Sequence, residues 1–141
     1  MTDAEKKNQL NNKKDNLKAS ARGHENTIKD LDAKIRRLRK AKNKLYDYQN
    51  EMKTSVKKKD QTICDAKYKW KGSWYSNDFK RDMHKMLDAE KSYLDSLNRK
   101  IDCINDKITY FERERAKHQN LLQKIWTEIK SVGREIENLG N

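Results

Sequence analysis

From Leu94 onward, apolar residues recur at alternating steps of three and four: Leu94, Leu97, Ile101, Ile104, Ile108 and Phe111, then Leu122, Ile125, Ile129, Val132, Ile136 and Leu139. With Leu94 as heptad position a, only Arg115 and His118 interrupt the a and d sites. That spacing draws one apolar stripe along a helix, the seam of a coiled coil. A poorer seam precedes it. Leu10, Leu17, His24, Leu31, Leu38, Leu45 and Met52 recur every seventh residue, with Ala21, Ile28, Ile35 and Val56 beside them and Lys14, Lys42 and Gln49 at companion sites. Apolar residues are sparse before Leu17, so the beginning of this arm should pack least tightly.

Between the arms, residues 57–78 lose the heptad and gain aromatics, among them Trp70, Trp74 and Tyr75. The pattern therefore predicts an all-α chain: a long antiparallel two-helix hairpin (coiled coil) with Trp-x-Gly near the central turn. Helix one should span about residues 4–58, a loop about 59–76 and helix two about 77–139, all in one domain over 1–141. Ser76, Asn77 or Asp78 offers a side-chain oxygen to cap helix two. A fold-back centred on Lys71 pairs residues whose numbers total about 142, setting Leu45 opposite Leu97, Leu38 opposite Ile104 and Leu31 opposite Phe111. The same register sets His24 opposite His118, so the interruptions of both seams coincide. His24, Arg115 and His118 then form a polar layer that fixes register.

Composition agrees with long thin helices rather than a thick core. Apolar residues make up 33% and charged residues 40% of the chain, with four glycines and no proline to interrupt a backbone ladder. The net charge is +12, and the residues up to Asp60 carry 18 basic against 9 acidic side chains. Such a field attracts nucleic acid, an anionic surface or an acidic protein without choosing among them. Cys64 and Cys103 stand in unlike contexts with no clustered histidines, which reads as two free thiols and no metal site. The start of the chain is polar and no segment is apolar enough to span a bilayer, so neither a signal peptide nor a membrane span is expected.

No catalytic constellation emerges. His24, His84 and His118 lie far apart on extended helices, the carboxylates solvate outer faces, and phosphate-binding glycine loops are absent. We expect no enzyme activity and no cofactor. The two seam histidines are first of all a satisfied polar layer, with pH sensing the sharper alternative. At the turn, Trp70 and Gly72 supply a large anchor and a flexible residue, with Trp74, Tyr75 and Phe79 close by. Capping the hairpin is the plain reading of these aromatics. Their number exceeds what a cap needs and points also to a recognition surface.

In Trp70, Gly72 and Phe79 the chain resembles the WXG family of type VII secretion substrates, small helical hairpins with Trp-x-Gly in the turn. It looks closest to their longer relatives, the small helical proteins associated with LXG toxins. Trp74 and Tyr75 depart from the small residues that usually follow the family's glycine. The resemblance implies a helper or targeting protein that binds the N-terminal helical domain of an LXG-type toxin, beside a second small helical hairpin protein. It implies a cytoplasmic protein, or one exported through a type VII system without a cleaved signal peptide. Tyr110 and Glu114 have the aromatic-x-x-x-acidic form of a type VII export signal, a form that helical i,i+4 spacing also produces by coincidence. On the bottom-up reading, a two-helix hairpin covers only part of each stripe. Met86, Tyr93, Leu121 and Trp126 flank the second seam as a candidate partner interface, each worth roughly 1.5 to 3 kcal/mol if buried.

Two other classes compete. A nucleic-acid-binding coiled coil would lay the basic run around Lys34, Arg37, Lys40 and Lys44 along phosphates, and its mark is steep loss of binding with salt. A self-associating structural coiled coil would give a stable homodimer without any partner.

Overall fold

The computed structural model of the chain describes residues 1–69 and 78–140, apart from the side chains of residues 68 and 69. Two α-helices make up this part of the protein, α1 over Asp3–Lys69 and α2 over Lys80–Gly140, folded back on each other as an all-α antiparallel hairpin. Trp70, Gly72, Trp74, Ser76 and Asn77, on which the turn motif and two of the expected caps rest, lie outside the described residues.

Thr2 starts α1 through a capping box that the periodicity did not reveal. Its hydroxyl accepts from the Glu5 amide at 3.2 Å, and the Glu5 carboxylate accepts from the Thr2 amide at 3.1 Å. Two amides that would otherwise lack partners are thereby satisfied. At its other end α1 runs on to Lys69 instead of stopping near Lys58. The physical reason is legible afterwards: residues 59–69 contain neither glycine nor proline, and Lys59, Ile63 and Ala66 continue the alternation of three and four. The aromatic character of the following segment masked that continuation. Asp78 and Phe79 form a wide π-type turn ahead of α2, and Arg81 donates to the Asp78 carboxylate at 3.3 Å.

The chain divides into two compact units. The terminal unit joins Met1–Arg37 with Ile108–Asn141, and the central unit is Leu38–Lys107. Ala21, Leu31, Ile35, Ile108, Ile129 and Val132 form the buried core of the terminal unit, with no buried residue before Ala21. Ala66, Leu87, Leu97 and Ile101 do the same in the central unit. Among the described residues every fully buried side chain is apolar. In the central unit the α2 stripe also begins earlier than Leu94, since Met83, Leu87 and Glu90 keep the same spacing and Leu87 is only 2% exposed.

Contacts between the helices place the register close to the expected one, with an offset. In the terminal unit the numbers of paired residues total 142 for His24 with His118, 145 for Lys34 with Phe111 and 147 for Asp32 with Arg115. In the central unit they total 145 for Ser55 with Glu90, 147 for Gln49 with Asn98 and 149 for Lys59 with Glu90. Only the histidine pair sits on the expected total. The offset brings Ile101, rather than Leu97, level with Leu45.

Gly23 and Gly133 stand inside helices where an added Cβ would meet nothing within 4 Å. Each therefore carries the backbone-entropy cost of glycine with no packing reason. Gly133→Ala should stabilise the hairpin by about 0.5 to 1 kcal/mol. Urea unfolding followed by circular dichroism measures it, and an unchanged or lower midpoint would count against this account.

Candidate functional site

The 3–4 spacing that makes a seam also fixes what flanks it. In the terminal unit, His24 and His118 bring their Nδ1 atoms to 2.8 Å, with ring centroids 5.0 Å apart. That contact needs one nitrogen with a proton and one with a lone pair. Arg115 does not complete a three-residue layer with them. It turns to Asp32, donating from Nη1 to Oδ1 at 2.7 Å, with the two side chains 31% and 39% exposed. Asp32 was missed because it lies beside the seam of α1, one residue after Leu31, and nothing in a solvated carboxylate's spacing marks it. Lys34 extends over the Phe111 ring at 5.5 Å from its centroid.

The central unit holds a second polar group that periodicity did not single out. Lys59 of α1 and Glu90 of α2 both occupy seam positions and form an ion pair, while the Ser55 hydroxyl donates to the same carboxylate oxygen at 3.0 Å. Lys59 also donates to the Ser55 hydroxyl at 2.9 Å. The Lys59 hydrogen bond holds the Glu90 carboxyl below its ordinary range. Burial pushes the other way without cancelling it, and the Ser55 hydrogen bond and Lys59 charge add to the lowering. The remaining oxygen, Oε2, is buried with no hydrogen-bond partner. Seam positions occupied by Lys and Glu are the signal that could have found this group, had the stripe been traced back through residue 83. Gln49 and Asn98 make one further polar contact in this unit.

The candidate interface residues are all exposed: Met86 by 50%, Tyr93 by 45%, Leu121 by 45% and Trp126 by 41%. They do not form a single patch. By heptad position Met86, Tyr93 and Leu121 precede an a site and fall on one flank of the α2 seam, whereas Trp126 follows a d site and falls on the other. In the central unit Tyr93 faces Tyr48, which is 49% exposed, across a groove of about 300 Å³ lined also by Glu51, Met52 and Ser55. In the terminal unit a groove of about 480 Å³ lies over Leu10 and Leu139 between Lys6, Lys13 and Glu135. Tyr110 is 59% exposed, with an edge contact to Phe111, while half-buried Glu114 is joined to Lys117 at 3.1 Å. Phe79 is half-buried ahead of α2.

Cys64 and Cys103 are free and exposed. Among the described residues no three His, Cys, Asp or Glu side chains converge to hold a metal, and no helix is long and apolar enough to cross a membrane. What the geometry defines is a two-helix hairpin with polar contacts set into its seams and apolar side chains left on its flanks. A family model described as YwqH-like matches residues 12–134, which takes in most of both helices. The chain belongs to the YwqH-like family. No curated protein and no solved structure matches it.

Both polar contacts are open to direct measurement. Because the unfolded Glu90 carboxyl takes up a proton at higher pH than the folded one, its contribution is present above the ordinary carboxylate range. It is lost as pH falls through the lower folded value. Urea stability of the native chain should therefore drop more steeply on acidification than that of Glu90→Gln, and parallel curves would refute the assignment. For the histidines, a double-mutant cycle of His24→Ala and His118→Ala should return a coupling of about 0.5 to 1.5 kcal/mol. Strict additivity would mean the 2.8 Å contact does not form in solution.

Proposed function

We propose that this YwqH-like hairpin is a non-enzymatic helper that binds the N-terminal helical domain of an LXG-type toxin and presents it for type VII secretion. A second small hairpin protein takes part beside it. The observation that carries the reading is the family match over residues 12–134, on a hairpin whose second helix keeps large apolar side chains exposed. Met86, Tyr93 and Leu121 stand exposed along one flank of the α2 seam and Trp126 along the other, beside the stripe on which a further helix would pack. A helical partner covers such flanks by extending the packing from two helices to three or four. The sequence resemblance at Trp70 and Gly72 supports the secretion context. Tyr110, well exposed on α2, is available as the aromatic member of an export signal with Glu114.

The test is co-expression with the proteins encoded beside this one, followed by mass determination of the purified complex. A stoichiometric complex with a larger helical protein is expected, weakened by Leu121→Asp and by Trp126→Asp. Since these two residues lie on opposite flanks, the single variants also tell which flank the partner covers. A lone monomer or homodimer carrying nucleic acid that salt removes would overturn the reading in favour of the basic run on α1.

A further inference from the structure

In the terminal unit His24 and His118 meet across the seam with their Nδ1 atoms 2.8 Å apart. At that separation the contact is a hydrogen bond between two nitrogens, and it takes one N–H and one lone pair. Two neutral rings supply these when one carries its proton on Nδ1 and the other on Nε2. One further proton fits, because the donating ring receives it on Nε2 and leaves its partner's lone pair free. A second does not. It would turn the accepting Nδ1 into another donor and set two positive rings against each other with their centroids 5.0 Å apart. The joined pair therefore holds one added proton, and the separated pair holds two.

Charged groups around the pair leave this count unchanged. On α1, half-buried Glu25 follows His24, Arg22 stands exposed, and Asp32 is taken by Arg115. On α2, Arg115 is held by Asp32 at 2.7 Å, and Glu114 is joined to Lys117 at 3.1 Å. Whatever field these groups sum to, none restores the lone pair that a second proton removes. The neighbouring seam residues Ala21, Ile28 and Leu122 carry no charge. The central unit has no such pair: its histidine, His84, is exposed, and its seam group is Lys59, Ser55 and Glu90. With the Glu90 carboxyl held below its ordinary range, that group keeps its charges where imidazoles titrate.

We propose that the His24–His118 pair is an acid-sensitive clasp, which holds the terminal unit closed at neutral pH and lets go in mild acid, while the central unit stays packed. Separation takes up a proton that the joined pair cannot hold, so the closed state loses stability as pH falls through the imidazole range. The loss is bounded by what the contact is worth, a factor of about three to ten in the opening equilibrium. Loosening gives solvent or another protein access to Ile28 and Leu122, which are half-buried beside the pair. The device belongs to the hairpin itself and goes beyond the toxin-binding reading.

Amide hydrogen exchange of the full chain, read residue by residue by NMR between about pH 7.5 and 5 and corrected for the intrinsic pH dependence of exchange, follows each unit separately. Opening of residues 21–31 and 114–125 should rise about three- to tenfold toward the acid end, against less than about twofold for residues 87–101. Over the same range the nuclear Overhauser contact between the two imidazole rings should fade. His24→Gln and His118→Gln should each flatten the terminal response, because an amide offers a donor and an acceptor at every pH. His84→Gln should preserve it, and circular dichroism checks the helices of each variant. Equal responses in the two units would overturn the proposal, as would a ring contact that persists at the acid end or a terminal response that survives both glutamine variants. The exchange and ring-contact readings use the native chain, so they decide the matter even where a variant loses its helices.

Discussion

A hairpin of two helices can bury each helix on one side only, and that geometric limit governs everything else in this protein. The buried apolar residues follow the alternating three-four stripe because, among the described residues, no third helix covers the other sides. Even along the stripe coverage is partial: Leu38, Leu45 and Ile104 remain half-buried, and full burial is reached at only a few positions, such as Ile35, Leu87 and Leu97. Stability must then be collected from many modest contacts spread along both arms. Flanking side chains inevitably stay within reach of solvent or of another protein.

The same limit explains the polar contacts. In a thick core, Glu90 or His118 would be dehydrated on all sides. In a seam one side chain wide, each can meet a partner on the opposite helix while keeping some contact with water. Lys59 and Ser55 with Glu90, and His24 with His118, are polar exceptions within apolar stripes, and they exist only when the helices are aligned. A slip by one heptad would put Glu90 against apolar residues with its charge uncompensated. Register is thus specified by what would be lost on sliding.

Heptad spacing makes the hairpin and most of its seam legible from the residues alone, because periodicity is a local property of sequence and burial follows it. Leu31, Ile35, Leu97, Ile101 and Ile108 are all identifiable as core on that ground, and all are buried. The length of α1 is not, since the aromatic composition of the segment after residue 59 outweighs the weaker stripe of Ile63 and Ala66. Asp32 as the partner of Arg115 is equally hidden, because an ion pair between residues distant in sequence depends on axial offset and side-chain reach, which spacing on one helix does not encode. Of the candidate interface, the individual exposed residues can be read off the helix. Their division between two flanks requires following the heptad letters to residues just before a sites and just after d sites.

The order in which the hairpin can assemble follows from how far apart its contacts lie along the chain. Ser55 meets Glu90 across 35 residues, Gln49 meets Asn98 across 49, Asp32 meets Arg115 across 83, and His24 meets His118 across 94. Closing the widest of these loops directly would cost the most chain entropy, whereas each becomes a short closure once the preceding one has formed. Loop-closure entropy therefore favours assembly as a zipper running from the centre of the sequence toward its ends. On that order the histidine contact, which spans 94 residues, is the last of these four to close.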